Sequence, residues 1–365
     1  MTPALRAAIE ATTIARLDAA RGFDAVVIGA GAAGGMAAML LTQAGLRVLT
    51  LDAGWRTSFW RAPVGRTING LVGTVADPRL QMVLPPRVLG IGRRALRLLG
   101  RVRQPVQCKC FAWEMATDAF VDDRESPYIS EPDSRFLWFR SHQIGGRMII
   151  PGHGRQYYRL SAADFAPNDE LSPRWPLSPG ELDRWYDQVE VQLRMSGGTD
   201  DCPWIPDGRM AQVIEPSASE AETADTIKRR WTGARQILGR SALPLASVDA
   251  AAATGRLSLR QGAVVSEVLV DPQGRASGAR WYDRATRSLR TVRAPIVFLC
   301  ASSLEDSYPP IVQVCGRLSG SGCPLGRARP LPDGSRDRLG RGHRWRIAQR
   351  AGPRRARPLR LPAPL

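Results

Sequence analysis

Gly29, Gly31 and Gly34 fall in a G-x-G-x-x-G pattern, and an acid, Asp52, follows 23 positions after the first of them. Residues of these types at this spacing suit the binding of a dinucleotide. The first glycine permits a tight turn out of a strand, the second lets the main chain approach a pyrophosphate, and the third lets the following helix lie close to a sheet. The helix N-terminus then offers unpaired N–H groups and the positive end of its dipole to the phosphates. A carboxylate placed like Asp52 accepts hydrogen bonds from ribose hydroxyls.

Those roles need a strand, a turn, a helix and a second strand in that order. Asp24-Ala-Val-Val-Ile28 reads as a short buried strand, Ala33 to Ala44 as a helix with Ala37, Leu40 and Leu41 on one face, and Gly45 as its stop. Arg47-Val-Leu-Thr-Leu51 is a second strand ending at Asp52. The competing reading is a glycine-rich helix-packing segment, which the full order of elements outweighs. The 22 uncharged residues from Ala25 to Leu46 are long enough for a membrane span, but their five glycines and strand-like start argue for the nucleotide unit. This unit alone does not choose between NAD and FAD.

At 365 residues, 44% hydrophobic and 23% charged, the chain has room for about two domains. A peptide, a small disulfide scaffold and whole-chain disorder are excluded. The net charge of +17 is unevenly placed: residues 306–365 carry 13 Arg against three acids, net +10, and residues 1–305 only +7. Lysine occurs only at Lys109 and Lys228. An arginine bias of this kind points to GC-rich coding more than to an anionic partner. The six cysteines show no C-x-x-C pair and no histidine at metal-ligand spacing, so no metal site is expected. With no secretory pattern in MTPALRAAIEATTIARL, which reads as a short amphipathic helix, the expected location is cytoplasmic.

Beyond the nucleotide unit, three more segments appear in order. They are WFRSHQIGGRMIIPGHGRQYYRLSAADF, WPLSPGELDRWYDQVEVQLRMSG, and TGRLSLRQGAVVSEVLVDPQGRASGARWYDRATRSLRTVRAPIVFLCASSLE. Together with FDAVVIGAGAAGGMAAMLLTQAGLRVLTLDAG, they make residues from about 20 to about 305 resemble the glucose-methanol-choline (GMC) family of FAD oxidoreductases. The resemblance implies that Gly145 and Gly146 form a second glycine loop at the flavin's pyrophosphate and ribityl region. It implies that the main chain at Val265 meets the adenine, and that Cys300-Ala301-Ser302 closes the cofactor site after a buried strand Ile296–Leu299. Many members carry glutamate where Asp52 stands, and either acid serves the ribose. Leu182, Tyr186, Val189 and Leu193 form an apolar stripe on the helix of the second segment. Arg147 after the two glycines is closest to the sugar-oxidising bacterial branch, whereas Pro151-Gly-His153-Gly departs from the usual loop spacing.

The implied fold is α/β: a Rossmann-like FAD-binding domain with an inserted α+β substrate domain, incomplete at the C-terminus. The expected division is a helical lead at 1–19, FAD-binding parts at 20–150 and 256–305, a substrate or cap unit at 151–255, and a disordered tail at 306–365. The implied activity is oxidation of a CH–OH group of an alcohol or sugar by hydride transfer to FAD, with the electron acceptor left open. The family's catalytic histidine lies beyond the strand that ends here at Ala301, so no catalytic residue is assigned and turnover by this chain is doubtful.

Arg, Pro, Gly and Ala make up 35 of the last 60 residues, with no helix or strand period. A shifted reading frame or truncation after about residue 305 is the expected explanation. The alternatives are a basic arm for nucleic acid or membrane and an extension without a partner. His153 is expected to be a satisfied loop histidine rather than a flavin-attachment or proton-transfer residue, His142 structural, and His343 outside any family context. Cys108-Lys109-Cys110 reads as ordinary packing. In IGRRALRLLGRVR the arginines and apolar residues form a basic amphipathic helix, for which a solvated face on a core helix outweighs a membrane-surface role. A non-catalytic flavin-binding protein and a nucleic-acid-binding protein are the other classes kept, with no nucleic acid expected as partner.

Overall fold

In a computed structural model, residues 2–10, 12, 17, 22–54, 86–115, 119–124, 126–128, 136–150, 155–165, 175–178, 180–200, 202 and 204–302 are described. His153, His343, Cys315, Cys323 and the whole tail from 303 lie outside them. The first elements are α1 (Pro3–Glu10), β1 (Ala25–Ile28), α2 (Ala32–Gln43), β2 (Val48–Asp52) and α3 (Pro86–Arg103). Then come α4 (Asp183–Gln192), β3 (Ser196–Gly197), β4 (Gln212–Val213), α5 (Ala218–Arg230), β5 (Arg240–Ser241) and α6 (Ala246–Ala253). The chain continues through β6 (Leu257–Gln261), β7 (Ala263–Val270), β8 (Ala276–Asp283), β9 (Ser288–Arg293) and β10 (Ile296–Leu299).

Four strands pair in the order β10-β1-β2-β6, all parallel, with Ala25 opposite both Ile296 and Val48. Every residue of β1 and β2 is buried, as their continuous apolar runs require of a parallel strand covered on both faces. Side chains alternate between the two coverings. Ala25, Val27 and Val48 share a core with Leu5, Ala38, Met39, Val248 and Leu259, so α1, α2 and α6 form one layer. Val26, Ile28, Leu49 and Leu51 share the other with Val268, Ala279 and Trp281, where the antiparallel sheet β7-β8-β9 lies. The result is a mixed α/β architecture of helix layer, parallel sheet and antiparallel sheet.

Several sequence expectations shift here. Leu40, expected on one helix face with Ala37 and Leu41, is 54% exposed, because α2 buries Gly34, Gly35, Ala38, Met39 and Thr42. The small residues let α2 approach α6 closely: a Cβ on Gly35 would stand 2.7 Å from Ser247 Oγ and Val248 Cγ2. The strand Ile296–Leu299 has its expected bounds but is only partly covered, with Phe298 at 40% exposure, because β10 is an edge strand. Leu5 is fully buried, so α1, within the expected N-terminal lead, belongs to the helix layer. Thr12 extends that attachment by accepting from the Leu259 amide. Likewise α6, inside the span expected for the substrate unit, packs on α2.

A separate small sheet pairs in the order β4-β3-β5. The expected stripe on α4 is only partly realised, since Glu190 is the residue the helix buries completely. Burial of that carboxylate is compensated by a two-pronged pair with Arg159, at 2.8 Å to each oxygen, and by the Tyr157 hydroxyl and the Arg209 amide. Arg240 is buried in the same manner against Asp200 and Asp207. Cys108 and Cys110 sit in a packed cluster with Ala112, Trp113 and Ile150.

Candidate functional site

The parallel strands all end on one rim, and the chain reverses its direction of strand addition between β1 and β10. That crevice is where open α/β sheets bind ligands. Gly29 leaves β1 with φ +96°, and its amide donates to Leu51 O at 2.8 Å. A Cβ there would lie 2.5 Å from Cys300 O and 3.1 Å from Ala301 Cα. Only glycine allows the strand end to approach the segment after β10 so closely. A Cβ on Gly34 would fall 1.9 Å from Gly29 O, so this glycine seats α2 directly on the turn.

Gly31 differs. A Cβ added to it would meet nothing within 4 Å. It is the N-cap of α2 in an extended conformation, φ −76°, with no side-chain cap, and Ala32 and Ala33 after it are exposed. The first turn of α2 therefore presents its intrinsically unpaired N–H groups to open space with no side chain intruding.

Gly145 and Gly146 lie against that opening. The Gly145 amide donates to Ala30 O at 2.7 Å, and a Cβ on Gly146 would come 3.2 Å from Gly31 Cα. Both glycines have positive φ, +88° and +54°. Two glycine loops more than a hundred residues apart thus form one continuous main-chain surface.

Asp52 ends β2 with 6% exposure, and its carboxylate is engaged by the protein. Oδ2 accepts from the Ala30 amide at 2.8 Å and Oδ1 from the Gly54 amide at 2.7 Å. The acid therefore ties the first glycine loop to the turn after β2, with one acceptor site of each oxygen spent on a main-chain amide. Gly54 was not foreseen as important. A Cβ on it would lie 2.7 Å from Gln143 Cα and His142 O, so it admits the second loop. Its signal was a glycine two residues past an acid at a strand end, a turn pattern.

The Gly262 amide donates to Gly54 O at 2.7 Å and links β6 and β7 to the same rim. Arg260 and Asp283 brace that corner through hydrogen bonds of 2.7 and 3.1 Å. Burial opposes the charge on Asp283, but Arg260, the Thr286 amide and the Thr286 hydroxyl outweigh it and hold the carboxyl below the ordinary value. Val265 lies on β7 opposite Trp281, at a β-bulge that shifts the register between Val265 and Glu267. Val265 and Ala301 both pack at the margin of the core containing Ile28, Leu49 and Leu51. Six of the eight expected cofactor positions, Gly29, Gly31, Gly34, Gly145, Gly146 and Ala301, therefore converge on the crevice. Asp52 borders it, and Val265 stands off on the antiparallel sheet.

His142 is the only histidine among the described residues, and its main chain packs on Gly54. No group of His, Cys, Asp and Glu with the arrangement of a metal site occurs among the described residues. No described helix is long and apolar enough to cross a membrane.

No family model matches the chain. No curated protein matches it either. Among solved structures it is similar to pyridoxine 4-oxidase from Mesorbium loti, with 17% identity and a TM-score of 0.43 over 78% of this chain and 50% of that one. It is also similar to formate oxidase of Aspergillus oryzae RIB40, whose structure concerns FAD modification, with 13% identity and a TM-score of 0.42 over 77% of this chain and 45% of that one. The chain spans about half the length of these two structures.

Proposed function

We propose that this chain binds FAD and belongs to an oxidoreductase that acts on CH–OH groups of alcohols or sugars. The observation that carries the cofactor reading is the opening at Gly31. A helix N-terminus without a side-chain cap faces a space that a second glycine loop helps to enclose. Main-chain donors of this kind suit a pyrophosphate, which needs several N–H groups and close approach. Gly29, Gly31 and Gly34 hold the ADP phosphates in this reading, Asp52 borders the ribose, and Gly145, Gly146 and Ala301 complete the enclosure. The main chain at Val265 serves the adenine.

Bound FAD supplies a two-electron acceptor for a hydride from the substrate carbon. The resemblance of four segments, in order, to the GMC family supports FAD over NAD and supports the substrate class. The chain's described residues provide binding and orientation, and no proton-accepting residue is assigned. Purified protein is denatured and its released cofactor identified by absorbance and chromatography; FAD is expected, and a nicotinamide dinucleotide overturns the reading. Anaerobic mixing of the flavin-loaded protein with a panel of alcohols and sugars then tests turnover. Flavin retained without bleaching by any member identifies a flavin-binding protein without this activity.

A further inference from the structure

The helix α3 presents apolar side chains to solvent. Val88 is 50% exposed, Ile91 67%, Leu98 59% and Val102 53%. Their spacing of three, seven and four residues keeps them on one stripe of a helix. Arg87, Arg94 and Arg101, at seven-residue intervals, run alongside and are also exposed. The 18 residues of α3 hold six arginines and no acid. The opposite side is the one seated on the protein: a Cβ on Gly100 would stand 2.6 Å from the Trp113 ring and 3.0 Å from Cys108 Cβ. Arg103, turned another way, is occupied by Asp122. Of the apolar residues expected to turn inward from a solvated arginine face, Ile91, Leu98 and Val102 are exposed instead.

The geometry points to α3 as a docking helix for an anionic phospholipid surface, lying in the plane of the interface. The stripe of Val88, Ile91, Leu98 and Val102 enters the headgroup boundary, and Arg87, Arg94 and Arg101 meet the anionic headgroups. Charge complementarity and apolar exposure on one helix face favour lipid over the alternatives. A nucleic acid backbone satisfies the arginines and leaves the four apolar side chains in water, whereas an anionic interface takes both. With six arginines in 18 residues the helix does not insert across a bilayer. This inference is independent of the cofactor reading.

The test is flotation of the full chain with vesicles of phosphatidylcholine containing phosphatidylserine, against vesicles of phosphatidylcholine alone, at low and high salt. Binding to the anionic vesicles that weakens with salt is expected. Each arginine near such a surface contributes about fivefold in partitioning, so Arg87→Gln/Arg94→Gln/Arg101→Gln loses about a hundredfold. Ile91→Asp/Leu98→Asp also abolishes flotation while leaving the circular dichroism and melting unchanged, since both side chains are exposed. The 13 arginines of residues 306–365 are present in every variant, so flotation that persists in both overturns the proposal. Absence of flotation overturns it as well. Duplex DNA binding that falls in the arginine variant and survives in the aspartate variant, without flotation, assigns the helix to nucleic acid instead.

Discussion

Gly31 and Gly34 are three residues apart in one motif, and the structure separates what they do. Gly34→Ala sets a methyl 1.9 Å from Gly29 O and 2.9 Å from Gly29 C. Both obstacles are main chain, so no rotamer change relieves the clash and α2 must move off the turn. Overpacking costs about 1–3 kcal/mol, and a main-chain obstacle belongs at the upper end. At about 2–4 °C per kcal/mol, a loss near 3 kcal/mol lowers Tm by roughly 6–12 °C. In Gly31→Val the added Cβ meets no atom within 4 Å, and the position requires no positive φ. Its effect on the flavin-free protein is within about 0.5 kcal/mol, as for a surface substitution. Its isopropyl group, however, occupies the space that the proposed function assigns to the pyrophosphate. Thermal melts of the flavin-free proteins, with FAD titration by fluorescence quenching, measure the two effects separately. The expected pattern is an unstable Gly34→Ala protein and a stable Gly31→Val protein that no longer binds FAD. Wild-type FAD affinity in Gly31→Val, or an unchanged melt in Gly34→Ala, refutes the division of roles.

Three further outcomes follow from buried polar groups. Asp52→Ala leaves the Ala30 and Gly54 amides without their acceptor, at about 1–3 kcal/mol each, and Asp52→Asn falls between it and wild type; the urea midpoints rank the three. Asp283 has its pKa held below the unfolded value, so it stabilises the fold above the ordinary carboxylate range, and that contribution is lost as pH falls through its folded pKa. Stability measured from neutral to strongly acid pH therefore declines less steeply in Asp283→Asn than in wild type. Glu190→Ala removes two of the three carboxylate contacts of the partly buried Arg159 guanidinium, leaves it only Asp187, and takes the acceptor from the Tyr157 hydroxyl and the Arg209 amide, at a cost of about 1–3 kcal/mol read from the same denaturant curves.

The β1-α2-β2 unit was legible along the chain because its determinants are local. A four-residue apolar run, a turn that demands positive φ at Gly29 and a helix ended by Gly45 are set by neighbours within a few residues. Strand Ile296–Leu299 was an expectation of the family resemblance and not of local composition. Burial was less legible: Leu40 looks like a core residue by type, yet the contact with Ser247 and Val248 at Gly35 rotates another face of α2 inward. Glu190 reads as a surface acid on α4 and is instead the most buried residue of that helix, because Arg159, Tyr157 and the Arg209 amide reach it from other segments.

The types of residue that could meet a cofactor were thus readable one position at a time, since glycine permissiveness, helix polarity and carboxylate chemistry belong to each residue. Their assembly was not. That Gly146 lies on Gly31, that Cys300 closes over Gly29, that Asp52 spends two bonds on main-chain amides and that the apolar stripe of α3 faces outward are contacts between segments distant in the chain. Such contacts are decided by the strand order β10-β1-β2-β6 and by which faces the layers cover. Side-chain periodicity says that a face exists, and only packing says what stands against it.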